Sequence, residues 1–256
     1  MRDELAMVLR QVGARVLECR RDGKIDGQWE GAQYKAAADL IADESLRIGL
    51  RGIADIAVVS EEDSDSQQES RPDEYWLIDP IDGTASFAHG FPGFACQAAL
   101  IQDGVIQLAG VYAPAFDKLY MARRGEGATL NGLRMQVRMV DRQQLTLVDN
   151  YPEPRGVAAH LFRDLHCAKY LESGSIGLKI CLVAEGQADV FVKDVHVRDW
   201  DVAAPHLVLQ EAGGFLAQFT GQPFDYRGSY ARHGLVAVSS GALLDQVYEA
   251  VADYGM

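Results

Sequence analysis

Cysteine is scarce in this sequence: Cys19, Cys96, Cys167 and Cys181 stand far apart, and no two of them make a C-x-x-C pair. That spacing argues against a zinc site and against a redox pair, and a reduced, cytoplasmic setting is the simplest expectation. No apolar stretch approaches the length that crosses a bilayer, so a membrane-spanning protein is not expected. Charged Arg2, Asp3 and Glu4 follow Met1 where a secretory signal would have a basic region and an apolar run, so none is expected. Basic residues are also outnumbered: 24 Lys and Arg face 37 Asp and Glu, a formal net charge of -13. A field of that sign repels nucleic acid and anionic membrane surfaces, and neither is expected as a partner. The pair Arg123-Arg124 is too short to change that. A negative protein that handles a negative substrate needs a local reversal of sign, which bound divalent cations supply.

What is present suits one large domain or two closely packed ones: 256 residues, 48% of them hydrophobic. Leu5, Val8, Leu9, Val12, Val16 and Leu17 recur at helical spacing, as do Leu40, Ile41, Leu46 and Leu50, predicting two N-terminal amphipathic helices. Ile56 to Ser60 and Tyr75 to Ile78 read as strands that lead straight into acidic residues. From Phe94 to Met135 apolar runs alternate with turn signals at Asp103-Gly104, Ala113-Pro114, Gly125-Gly127 and Asn131-Gly132, predicting antiparallel strands. Farther on, Leu145 to Val148 and Ala188 to Val192 read as strands, and Ala158 to Leu165 and Ile176 to Ala184 as helices. Asp201 to Ala212 reads as a helix closed by Gly213-Gly214. A soft boundary near Asp141 divides the chain into an α+β half, 1–140, and an α/β half, 141–256, expected to pack as one functional unit.

The sharpest local pattern is Trp76-Leu-Ile-Asp79-Pro80-Ile81-Asp82-Gly83-Thr84. An apolar strand stops at proline, and two carboxylates flank a turn that glycine permits. Hard cations such as magnesium take oxygen ligands, and these two acids with the Ile81 carbonyl between them can supply several. Gly83 and Thr84 then offer backbone N–H groups suited to phosphate. Alone, Asp-Pro-x-Asp-Gly is as well explained as an exposed turn. Two further acidic segments accompany it. Ser60-Glu61-Glu62-Asp63 ends the preceding strand, and Asp199-Trp200-Asp201 opens a helix, where Asp201 could be no more than an N-cap.

Together the blocks Glu61-Glu62, Asp79-Pro-Ile-Asp82-Gly-Thr84 and Trp200-Asp201-Val-Ala-Ala resemble the inositol monophosphatase superfamily, whose members are magnesium-dependent, lithium-sensitive phosphatases. Further similarity runs through Phe87-Ala-His-Gly-Phe-Pro92 and from Gly174-Ser175 to Asp189. The resemblance implies a five-layer α-β-α-β-α sandwich, and two or three magnesium ions held by Glu61, Asp79, the Ile81 carbonyl, Asp82 and Asp201. It also implies catalysis through Glu61 and the Asp39–Thr84 pair with a metal-activated water, phosphate held at Gly83 and Thr84, and substrate contacts from Asp82, Ser175, Asp194 and Asp201. Asp39 has a plainer explanation as a solvated helix residue. A homodimer would fit the family.

Departures from the family pattern bear on the substrate. Ser86 stands where the family usually has Asn, and Ala36 where it usually has Thr. The stretch from Asp189 to Asp201 is one residue longer, so the polyol-binding acid maps to Asp194 or is displaced to Lys193. The expected substrate is a small phosphorylated metabolite, first a polyol or sugar monophosphate such as inositol 1-phosphate. The alternative is a 3′-phosphoadenosine 5′-phosphate nucleotidase, because Leu178-Lys179 and Gln222-Pro-Phe-Asp225-Tyr226 are similar to the bacterial 3′(2′),5′-bisphosphate nucleotidases. Lys179 could then meet a second phosphate, although a lysine making no ligand contact is the commoner situation. A second alternative is a non-catalytic regulatory scaffold that keeps the fold. His89, His196 and His206 lack zinc-like spacing and are not expected to act as the base.

Overall fold

The computed structural model describes every residue except 24–26, 31, 32, 69, 253, 255 and 256, and for 27–30 and 33–36 it describes the backbone alone. The chain opens with helix α1 (Arg2–Arg21), the hairpin strands β1 (Gly27–Glu30) and β2 (Gln33–Ala36), and helix α2 (Ala37–Ile53). The side chain of Ala36 thus lies outside the described residues. Buried Leu5, Leu9, Val12 and Val16 of α1, and Ala38, Ala42, Leu46 and Leu50 of α2, follow the three-to-four-residue spacing that gives a helix one apolar stripe. Next come β3 (Ala57–Ser60), β4 (Glu74–Asp82) and the short helix α3 (Thr84–Ala88). Strands β5 (Ala95–Gln102), β6 (Val105–Ala113), β7 (Lys118–Arg123), β8 (Gly127–Leu130) and β9 (Leu133–Met135) complete this half. Strands β3 to β9 make one seven-stranded sheet in sequence order, parallel at β3–β4 and antiparallel beyond. The Asp103-Gly104 and Asn131-Gly132 turns have both residues at positive φ, which two-residue hairpins require.

The second half adds β10 (Thr146–Asp149), α4 (Gly156–Asp164), β11 (Lys169–Glu172), α5 (Ile176–Ala184) and β12 (Val190–Arg198). It ends with α6 (Asp199–Glu211), β13 (Phe215–Ala217), β14 (Ala231–Val238) and α7 (Gly241–Ala252). Its five-stranded sheet has the order β11-β10-β12-β14-β13. Three cores separate the layers. One seals α1 and α2 onto the first sheet, and another seals α4 and α7 onto the second. The third lies between the two sheets and contains α5 and α6, which are buried on nearly all sides. The result is the five-layer α-β-α-β-α sandwich. Among the described residues no helix is long and apolar enough to cross a membrane.

Register slips interrupt both large sheets, and besides the one at Leu100–Ile101 of β5 against β6, two lie at β4 and β12. Strand β4 continues past Ile78 through Pro80 to Asp82, because its pairing with β5 slips between Asp79↔Gln97 and Asp82↔Ala95. A bulge leaves Pro80 without a ladder bond to donate, and it turns the strand end. In β12 the register slips between Lys193↔Leu235 and His196↔His233. The slip places one extra residue in β12, with Asp194 and Val195 sharing the bulge opposite Gly234. A Cβ on Gly234 would lie 2.5 Å from the Lys193 carbonyl, so the bulge needs glycine as its partner.

Candidate functional site

Glu61 sits in the turn after β3, and that turn is fastened on several sides. The Ser60 hydroxyl donates to Asp43 Oδ1 at 2.5 Å, and Arg47 spans Asp43 at 2.7 Å and Asp63 at 2.9 Å. Gln67 Nε2 donates to the carbonyls of Ser60 and Glu61. The neighbouring strand end carries Asp79 and Asp82, both buried. From the second half, α6 delivers Asp201 in its first turn. Asp201 Oδ2 accepts the Arg198 N–H at 2.7 Å; the N-cap is Arg198 and not Asp201, which reaches back to it from the third helical position alongside its place in the acidic group.

Carboxylate oxygens of Glu61, Asp79 and Asp201 all lie within 4.8 Å of one another. Asp79 Oδ1 is buried without a hydrogen-bond partner. Burial, and then the neighbouring carboxylates, push Glu61 and Asp79 well above the usual carboxylate range. Asp201 is pushed up to about 7 by burial and then by Asp82. Such a group is poorly suited to standing alone and well suited to a hard cation: all donors are oxygen, one is orphaned, and the acids repel one another.

Asp82 stands beside the three and is differently held. Its Oδ2 accepts from the Ser175 hydroxyl and from Gly177 N at 2.6 Å, and its Oδ1 from Ile176 N at 3.2 Å, so the N-terminus of α5 grips the carboxylate. Burial raises its pKa, while Ser175 and these N–H groups favour the charged form. Ser175 itself is fully buried, and its hydroxyl also accepts the Leu178 N–H as the α5 cap. Ser175, expected to contact substrate, donates its hydroxyl to Asp82 in this structure. Asp39 is buried, not solvated, and Thr84 Oγ1 lies 3.1 Å from Asp39 Oδ1 and 3.0 Å from the Ile81 carbonyl. Gly83 opens α3 at φ +90, where a Cβ would stand 3.1 Å from the Gly93 carbonyl.

Lys179 does not reach solvent. Its ammonium donates to Asn150 Oδ1 at 2.8 Å and to the carbonyls of Gly174 and Ser173 at 2.9 and 3.3 Å, so it is a strut under the Ser173–Ser175 segment and has no free face for a second phosphate. Burial lowers its pKa to about 7. Lys193 pairs with Asp149 at 2.9 Å, and the converging group of acids does not include Asp194. Two residues that carry no motif hold the site from behind. Arg71 reaches Asp199 at 2.5 Å in a buried pair and stacks over the Tyr230 ring at 3.8 Å. Gln97 bridges β5 to α6. A lone Gln inside the apolar run Phe94–Ile101 is the visible signal for the second; Arg71, in a polar loop, gives none.

The sequence profile of the inositol monophosphatase family matches residues 8–256. The Nus factor SuhB of Escherichia coli K12 is 34% identical over 169 residues, 62% of either chain. Inositol monophosphatase 1 of Bos taurus is 36% identical over 159 residues, 59% of this chain and 57% of the bovine one. The matched stretch therefore spans less than two thirds of either relative. Among solved structures, the extragenic suppressor protein suhB of Bartonella henselae superposes with a TM-score of 0.83 at 25% identity, covering 99% of this chain and 98% of that one.

Proposed function

Because the chain belongs to the inositol monophosphatase family, we propose that it is a magnesium-dependent phosphomonoester hydrolase acting on a small polyol or sugar phosphate such as inositol 1-phosphate. The observation that carries this reading is the convergence of Glu61, Asp79 and Asp201 within 4.8 Å around an orphaned, buried Asp79 oxygen. In the proposal these three, with Asp82 and the Ile81 carbonyl, hold the two or three cations. Bound there, magnesium supplies Lewis-acid polarisation of the phosphoryl group and a lowered pKa for water.

The chain's own groups do the rest. Thr84 donates its hydroxyl proton to Asp39, which leaves the threonine oxygen to accept from, and so orient, an attacking water. Glu61 takes up the proton that water gives away. The N–H groups of Gly83 and Thr84 bind phosphate oxygens where negative charge gathers in the transition state. Asp194 and the rim around it, with Asp82 and Asp201, are assigned to the leaving alcohol.

A second reading, the non-catalytic scaffold, gains support from the name Nus factor SuhB borne by the Escherichia coli relative. Against it stands a complete acidic set that repels itself when no cation is bound. The nucleotidase reading loses Lys179, whose three donors are already used. The test is phosphate release with magnesium from inositol 1-phosphate, fructose 1,6-bisphosphate and 3′-phosphoadenosine 5′-phosphate. The highest kcat/KM is expected on inositol 1-phosphate. A nucleotide preference would select the nucleotidase, and absence of turnover and of magnesium binding would select the scaffold.

A further inference from the structure

We infer that Gln97 is a positioning residue: its buried amide fixes Asp82 relative to Asp201 and thereby sets the affinity of the acidic group for divalent cations. The inference rests on the reading of that group as a metal centre.

Gln97 is the only polar side chain between Ala95 and Ile101 of β5 and is completely buried. Its Nε2 donates to the backbone carbonyls of Trp200 and Asp201 at 3.0 and 3.2 Å and lies 3.5 Å from Asp82 Oδ2. One amide therefore touches an acid of the first half and the backbone of an acid of the second. In the β4–β5 ladder the same residue is the partner of Asp79, at the edge of the bulge that aims the strand end. Its Oε1 has no partner, a costly arrangement that a residue serving stability alone would avoid.

The surrounding sequence makes room for it. A Cβ on Gly177 would lie 2.4 Å from Gln97 Oε1 and 3.0 Å from Asp82 Oδ2, while the Gly177 N–H grips Asp82 at 2.6 Å. Glycine in the first turn of α5 weakens the helix. Its presence there is explained by the space the Gln97 amide occupies.

The experiment is magnesium titration of the full-length protein by calorimetry, with melting in EDTA as the control. Gln97→Met keeps the volume and removes both amide functions. It should weaken magnesium binding about tenfold, the factor that accompanies loss of one net hydrogen bond. The EDTA melting temperature should fall only slightly, because losing the orphaned oxygen offsets leaving the Asp201 carbonyl without a donor, Pro205 having no N–H to offer it, and turnover should recover when magnesium is raised. Equal affinity in the two proteins, or a loss of EDTA stability with affinity intact, overturns the inference while leaving the metal centre standing. If the wild-type protein binds no magnesium, both readings fall together. Should Gln97→Met not fold, Gly177→Ala gives the same answer. It should weaken binding in the wild-type background and weaken it less in a Gln97→Ser background, where the new methyl group still stands 3.0 Å from Asp82 Oδ2 but no longer meets the amide; fully additive losses overturn the inference.

Discussion

Removing all divalent cation should make this protein less stable as the pH rises from about 4 to about 7, and Asp201 gives the effect a measurable size. Its carboxyl titrates at about 7 in the folded chain and at about 3.9 when unfolded. Between those values the folded state holds a proton that the unfolded state has released. Folding therefore takes up a proton, and its stability declines as the pH passes through the folded pKa. The gap corresponds to about 4 kcal/mol. Asp201 is only half-buried, and solvent screening reduces the expectation to about 2–3 kcal/mol, or roughly 5–10 °C in Tm for a chain of this length.

Asp201→Asn isolates this contribution, because the amide oxygen can still accept the Arg198 N–H while carrying no charge. The assay is thermal unfolding in EDTA at pH 5 and pH 8 for both proteins. The wild-type Tm should fall between the two by roughly 3–7 °C more than that of the variant, because about two of the three pH units between the unfolded and folded pKa values lie above pH 5. Glu61 and Asp79 are raised partly by the Asp201 charge, so the variant also eases their titration and the difference between the two proteins includes that relief. Magnesium at a hundred times its Kd should return about 2.7 kcal/mol to the wild type and much less to Asp201→Asn. Parallel curves for the two proteins in EDTA would refute the reasoning, since they would show that Asp201 meets no more repulsion in the folded chain than outside it.

Asp79→Asn should reduce turnover by about two or more powers of ten and abolish the magnesium-induced rise in Tm; a variant that keeps either property excludes Asp79 from the centre. Arg71→Met leaves the fully buried Asp199 with only Arg232 at 3.9 Å. It should lower unfolding free energy in urea by about 3 kcal/mol, and a change below about 1 kcal/mol would reduce the pair to a surface-like contact. Ser175→Ala removes both the α5 cap and the donor that favours ionised Asp82. It should cost about 1 kcal/mol of stability and shift the acid limb of the activity profile to higher pH, whereas an unmoved limb would mean that Asp82 ionises independently of Ser175.

Much of the fold is legible where a local rule acts alone. The expected α5 has the observed ends because an apolar run succeeds a serine cap, and both Asp-Gly and Asn-Gly turns fall where two positive φ angles are needed. Sequence patterns stop short where a bulge breaks the period. Proline ends the expected β4 at Ile78, and the expected β12 ends at Val192 because Lys193 to His196 carry no apolar alternation, yet both strands run on past their bulges. Helix α6 begins at Asp199, two residues before the expected start. The acids of the site are readable as motifs, but their supports are not. Ser175, Lys179 and Gln97 acquire their roles only from what packs against them, and spacing along the chain does not report that.

The core between the sheets joins the segments before and after Asp141. Tyr75 and Leu77 of β4, Val111 of β6 and Tyr120 of β7 share one buried cluster with Leu178 and Ile180 of α5, Val202 and Leu207 of α6, and Phe191 and Leu235 of the second sheet. Neither half covers its own inner face. A close-packed interior of this kind resists small displacements, so α6 cannot slide against β4 without opening the largest core in the molecule. The carboxylates repel one another, and without that resistance Asp201 would drift from Glu61 and Asp79 toward water. The seam between the halves is therefore where this fold can hold like charges within 4.8 Å of one another, with Gln97 and the α5 N-terminus as the local braces and the shared core as the frame behind them.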